Sequence, residues 1–558
     1  MTSSPTEAEA SPSTGSSEQM EPADYCALLC REPDRLRLVN AHEEVVEVVR
    51  GCLGQAELPF TFYYKSRATC AFKLAGSPFA AAGCSQEVMV RVRRALASVI
   101  RRLAGLSWHT VTASDLGKER THSCLFFRKI VVADEAKQSK LARDGEIFSW
   151  APSGHSSLLM IDVPPTVEAD LVAGVAAACA VTNHRQLEAA ASVTTSKLSL
   201  GGVTWAAAGD SAIAVRRVIM EVIRAARRHK FELVTNLNLT GTADSLLFQH
   251  KASLQDAPED MFLISLNRND RLRLVAAPSY VVTATEEVVA QLWGVQGCKE
   301  RGADCYEFKL YGRPWWADGE DAVKARHLVA SVLARYKALG WEVAAAADVS
   351  RRQNDKTVFV FRQCPPEQQD WAVLSCHESD KLRLLSSCDT FLLEDGVARI
   401  LEASQLTQAI TYYWKAKQWK LKGVPFSGNS TFGADQRLVI HLLTRILKHF
   451  HRLGWRLVAS ADVCAKYQSR HNSPNNLNYP LDTHSWFFLH DPDSMIVSDT
   501  VLDIEAEDAE ELQDDFGDQF TVEEIKSEKS QMRYIIRVVL PAAFILCLTL
   551  YYIFSILL

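Results

Sequence analysis

From Phe262 to Val275 the chain reads FLISLNRNDRLRLV, two short runs of alternating apolar and polar residues around a polar turn. A period of two puts Leu272 and Leu274 on one face and Arg271 and Arg273 on the other, which predicts a β-hairpin with one buried face. Helical spacing follows over Glu286–Trp293, and then a strand, YEFKLYG, is closed by Gly312 and Pro314. The stretch 321–340, DAVKARHLVASVLARYKALG, repeats Val323, Leu328, Val332, Leu333 and Leu339 near helical period and stops at Gly340. WEVAAAADV and TVFVFR then predict a second hairpin. The predicted order ββαβαββ defines an α+β unit, an antiparallel or mixed sheet with its helices on one face.

This pattern recurs. The opening hairpin returns as LLCREPDRLRLV at 28–39 and LSCHESDKLRLL at 374–385. A Gly-x-Pro-aromatic strand end recurs in FKLAGSPF, FKLYGRPW and WKLKGVPF, and a third signpost in GLSWHTVTASDL, LGWEVAAAADVS and LGWRLVASADVC. The gap between the first two copies is twice the period, and LSLGGVTW (198–205) with HKFELVTNLNL (229–239) fills it. That second unit lacks the Asp-Arg-Leu-Arg of the others. A period near 110 residues suits whole domains better than short solenoid repeats. The expected organisation is a polar N-terminus (1–24), repeats at 25–135, 148–252, 258–366 and 369–492, an acidic linker (493–533) and a membrane anchor (534–558).

The two ends set the compartment. VVLPAAFILCLTLYYIFSILL, Val538–Leu558, carries no charge and is long enough to cross about 30 Å of hydrocarbon as a helix. Lys526, Lys529, Arg533 and Arg537 precede it, which places the repeats in the cytosol. The expectation is a single-pass, tail-anchored membrane protein, with the endoplasmic reticulum favoured over the mitochondrial outer membrane. Just before the span, residues 503–528 hold twelve Asp and Glu against one Lys; within a total of −6 this leaves the rest of the chain at +5. The acidic stretch reads as a solvated spacer, or as an interaction segment through Leu512, Phe516 and Phe520.

Hydrophobic content of 47% and charged content of 23% are those of a folded globular chain. The fourteen cysteines form no Cys-x-x-Cys pair, so neither a metal site nor any cofactor is called for, and buried reduced thiols are expected. Two sets of basic residues are candidate sites. Arg35, Arg37, Arg271, Arg273, Lys381 and Arg383 of the hairpin motif could grip a phosphate or carboxylate, or could sit on the solvent face and pair across strands. The long second helices carry Arg93, Arg94, Arg101 and Arg102 in the first unit and Arg227 and Arg228 in the second, the composition of faces that meet anionic lipid or plain solvent. The acidic total and the lack of an RRM, KH or zinc-finger signature argue against nucleic acid. No catalytic motif is present, so no catalytic residue is assigned. The leading expectation is a non-enzymatic adaptor or tether that binds protein partners or anionic lipid; its rival is a membrane-anchored enzyme with a site assembled in one repeat.

Overall fold

A computed structural model describes residues 24–495, apart from 66–68, 81–83, 117–120, 131–144, 190–192, some positions within 203–208, 240–242, 255–259, 303, 351–355, 427–433, 465–466, 470–477 and 481. The N-terminal 23 residues, the acidic stretch and Val538–Leu558 lie outside the described residues.

Repeat 1 comprises β1 (Tyr25–Arg31), β2 (Arg35–Val39), α1 (Glu43–Gln55), β3 (Phe60–Lys65), β4 (Thr69–Leu74), α2 (Gln86–Gly105), β5 (Trp108–Ser114) and β6 (Thr121–Lys129). Repeat 2 follows with β7 (Ile147–Ser153), β8 (Ser157–Val163), α3 (Pro165–Ala178), β9 (Ala180–Ala189), β10 (Thr194–Gly201), α4 (Ser211–Arg228), β11 (Phe231–Asn238) and β12 (Asp244–His250). Repeat 3 has β13 (Met261–Asn267), β14 (Arg271–Val275), α5 (Ser279–Leu292), β15 (Val295–Glu300), β16 (Cys305–Leu310), α6 (Gly319–Ala338), β17 (Trp341–Ala347) and β18 (Val358–Gln363). Repeat 4 has β19 (Trp371–His377), β20 (Lys381–Ser386), α7 (Phe391–Ala403), β21 (Thr407–Tyr413), β22 (Ala416–Leu421), α8 (Ala434–Arg452) and β23 (Trp455–Ala461); a short hairpin, β24 (Tyr467–Ser469) with β25 (Asn478–Pro480), precedes the last strand, β26 (Asp482–His490).

The unit is therefore ββαββαββ, with one strand more than the hydrophobic pattern predicts. The extra strand follows the first helix and is exposed nearly throughout in repeats 3 and 4, so it has no buried face to impose a period-2 signal. All four sheets are antiparallel and share one order, β3-β4-β2-β1-β6-β5 in repeat 1 and its equivalents in the others.

Backbone geometry explains why the first two signposts travel together. The turn carbonyls Asp34, Ser156, Asp270 and Asp380 accept from the strand-end amides Leu74, Leu200, Leu310 and Leu421 at 2.7–2.8 Å. The residue before each, Pro33, His155, Asn269 and Ser379, accepts from the aromatic of the second signpost, Phe79, Trp205, Trp315 and Phe426. These bonds use main-chain atoms, so repeat 2 keeps them with Ser156 in place of the aspartate. Between them Gly76, Gly202, Gly312 and Gly423 turn the chain at φ between 62° and 79°, a left-handed conformation that favours glycine.

The long second helix of each repeat also packs on the sheet of the next: α2 on β7 and β8, α4 on β13, α6 on β19, β20 and β26, and α8 back on β1 and β2. A head-to-tail contact that returns to its starting point forms a closed ring. The cores run through these seams: the cluster built on Phe262, Trp315 and Trp341 of repeat 3 also takes in Trp371, Val373, Leu385 and Phe487 of repeat 4.

Candidate functional site

The hairpin arginines lie on the sheet face that receives the preceding repeat's helix. Arg37, Arg273 and Arg383 are buried there, while Arg35, Arg271 and Lys381 are half-buried one pleat away. The solvent-facing placement the sequence allowed is thus replaced by a covered one, because the preceding repeat seals the face. In repeat 3, Arg273 Nε donates to Oε2 of its cross-strand partner Glu307 at 2.7 Å and its Nη1 donates to the Gly209 carbonyl of repeat 2 at 2.7 Å. Arg271 and Arg301 each reach Glu307 Oε1 at 3.1 Å, Arg301 also pairs with Asp210, and Arg217 pairs with Asp304. Burial would raise the Glu307 carboxyl, but Arg273 and Arg301 outweigh it and hold it below the usual carboxylate range. The same strand position is Ala71 in repeat 1 and Gln418 in repeat 4. There Arg383 donates to Gln418 at 2.9 Å and lies 4.3 Å from the Tyr413 ring. Lys381 pairs with Glu378 at 2.6 Å, and Arg35 lies 4.0 Å from Asp34.

The basic helices divide in the same way. Arg93 is buried against repeat 2, donating from Nε to Ser245 Oγ at 2.9 Å and from Nη1 to the Met89 carbonyl. Arg326, its equivalent in repeat 3, repeats this with Ser485 of repeat 4 and the Ala322 carbonyl, both at 2.8 Å. Arg94 grips both carboxylate oxygens of Asp162 at 2.7–2.8 Å and adds Glu188. Arg102 donates to Gln55, and Arg227 lies 3.4 Å from Glu232. Arg101 and Arg228 stand exposed, the latter 3.8 Å from Asp170. The structure therefore brings Arg93 and Arg94 into a seam and does not gather the six arginines onto one free face.

Sequence reading missed a second ring of contacts near the axis. The last residue of the third signpost, Asp115, Asn238, Asp348 and Asp462, was legible as a recurring turn former. Its backbone amide donates across the seam to a side chain at the start of the preceding repeat's final strand. Asn238 N meets Ser123 Oγ at 2.7 Å, Asp348 N meets Asp244 Oδ2 at 2.8 Å, Asp462 N meets Thr357 Oγ1 at 2.9 Å, and Asp115 N closes the circle on His484 Nδ1 at 3.3 Å. Ser, Asp, Thr and His share only an acceptor, so no residue-type pattern marks the position. Burial raises the Asp244 carboxyl to about 6, against the opposing bonds from Asp348 and Asn236, and pulls the His484 imidazole down to about 4. Replacing Thr357 by Val should leave the Asp462 amide without this acceptor and cost about 1–2 kcal/mol. Urea unfolding with an unchanged slope would check it, and an unchanged midpoint would refute it.

Inside that ring, β5, β11, β17 and β23 face the axis as the inner edges of the four sheets. Each is bulged at the same place, leaving Val111, Val234, Ala344 and Val458 outside the ladder. These residues line an axial cavity of about 110 Å³. Small side chains and strand edges border it, with room for a few waters. Among the described residues, no group of three or more His, Cys, Asp or Glu could hold a metal ion, and no helix is long and apolar enough to cross a membrane.

The class these features define is a closed ring of four α+β repeats that share one strand order and seam geometry. One family domain matches the chain three times, over residues 24–128, 260–362 and 370–489, and the chain belongs to the family defined by that domain. Repeat 2 falls outside the matched segments although its sheet has the same order. No curated protein matches the chain.

Proposed function

We propose that this protein is a non-enzymatic binding platform, anchored in the endoplasmic reticulum membrane through Val538–Leu558, whose cytosolic ring engages protein partners at its rim. The observation that carries the reading is a division of labour. The features that recur between repeats are spent on turns, seams and ring closure, whereas the outer hairpins differ from one repeat to the next. The outermost strand reads FTFYYK, AVTNHRQLEA, VQGCKE and TQAITYY in repeats 1 to 4. One rigid body thus presents four different edges, and open strand edges are natural docking sites for extended segments.

Proximity biotinylation from the full-length protein, combined with alkaline carbonate extraction, tests this. The chain should stay with membranes, its neighbours should include endoplasmic reticulum and cytosolic proteins, and replacing Tyr280 and Tyr311 at the repeat 3 rim by Ser should remove a subset of them. A chain released by carbonate, or a neighbour set indifferent to every rim substitution, would overturn it.

A further inference from the structure

The four repeats serve as internal controls for one another, and one corner breaks the pattern. The first two residues of the first helix are Glu43-Glu44, Pro165-Thr166 and Ser279-Tyr280 in repeats 1 to 3, but Phe391-Leu392 in repeat 4. On the adjoining outer strand, the residue paired with Phe72, Leu198, Phe308 or Trp419 is Phe62, His184, Cys298 or Ile410. Two positions along that ladder, the partner is Lys65, Gln186, Glu300 or Tyr412. Only repeat 4 is apolar or aromatic at all four sites. Phe391, Leu392, Ile410 and Tyr412 are 69%, 50%, 45% and 70% exposed.

They converge on one corner. Ile410 and Tyr412, two residues apart, share a face of β21. Glu394, one helical turn after Phe391, accepts from Tyr412 Oη at 3.5 Å and pairs with Lys417 at 3.1 Å, tying the hairpin to α7. Exposed Lys415 and Lys422 flank the patch at the hairpin tip and base. Asp389 is the exposed carboxylate beside it, while Asp395 is paired with Arg399.

We infer that this corner of repeat 4 rests on the surface of the membrane that holds the chain, with Phe391, Leu392, Ile410 and Tyr412 entering the headgroup layer and Lys415 and Lys422 meeting lipid phosphates. The inference rests on the anchoring proposed above. Large apolar and aromatic side chains ringed by lysine are the composition of interfacial contacts. Repeat 4 is also the repeat nearest in sequence to the span: residues 491–537 separate β26 from Val538 and reach about 160 Å at full extension. The other repeats, polar at several of these positions, are joined to the span only through repeat 4.

The test places a benzophenone-bearing phenylalanine at Tyr412, or at Glu300 of repeat 3 as control, in the full chain reconstituted into phosphatidylcholine vesicles containing phosphatidylserine. Illumination should give about ten-fold more lipid adduct from position 412 than from position 300. Adding Phe391→Ser, Leu392→Thr and Ile410→His should bring the two close together. Equal yields at both positions, or adducts only to protein once cytosol is added, would overturn the contact and point to a protein partner. Carbonate extraction of the same sample separates the two failures. A chain that resists extraction but gives no excess adduct loses the contact and keeps the anchor, whereas a released chain loses both.

Discussion

Glu307→Gln is expected to destabilise the protein by about 3 kcal/mol, because it leaves buried guanidiniums without their shared carboxylate. The Glu307 side chain is 1% exposed and that of Arg273 3%. Gln418 in repeat 4 shows what an amide at this position supplies: one acceptor, used by Arg383 with help from the Tyr413 ring. In repeat 3 three arginines draw on the group, so one amide oxygen cannot replace the two charged ones. Urea unfolding should show a lowered midpoint with the slope preserved. The double variant Glu307→Leu with Arg273→Met removes charge and countercharge together and should recover part of the loss. A Glu307→Gln cost below about 1 kcal/mol would mean that the network is no more than a solvated surface cluster.

Acid is expected to weaken the seam between repeats 4 and 1 selectively. His484 accepts the Asp115 amide on Nδ1, so the folded state needs the neutral ring. Its pKa falls from an ordinary 6.5 to about 4 on burial, and its contribution is therefore whole above pH 6.5 and lost as pH drops toward 4, on the order of 2–3 kcal/mol. In the same seam burial and Arg128 pull His451 down to about 4, which adds loss of the same sign. Asp244, in the seam between repeats 2 and 3, runs the other way. Its pKa is raised from 3.8 to about 6, so it favours the folded state below that window and loses this contribution as pH rises through 6. Unfolding measured from pH 7 to 4.5 should show stability falling with acid, and His484→Thr, the residue type of repeat 3, should flatten that slope. Identical slopes in the two proteins would exclude His484 as the source.

How much of this was legible depended on what each residue faces. Leu272 and Leu274 alternate with Arg271 and Arg273 because one face is a core, and that alternation was readable; β15 has no core face and was not. The arginines on the other face could not be placed from one repeat's pattern, since what covers them is a helix about 60 residues earlier, and for Arg37 one near the far end of the ring. Glu307 carried no motif, and the acceptors Ser123, Asp244, Thr357 and His484 share a function without sharing a side chain. The corner at Phe391 and Tyr412 was readable in principle, by comparing repeats for what differs rather than for what recurs.

The closing seam also makes the chain's last elements responsible for its first. Asn40 meets His441 and Thr444 across about 400 residues, and Asp115 meets His484 across 369. At about 5–20 residues per second, β1 and β2 of a nascent chain wait roughly 20–80 s for α8. A chain cut short before α8 keeps that receptive sheet open, and the long helix at its own cut end fits the same kind of surface on a neighbour. Such a fragment is built to add to itself without limit, so premature termination in this gene would yield growing assemblies rather than an inert piece.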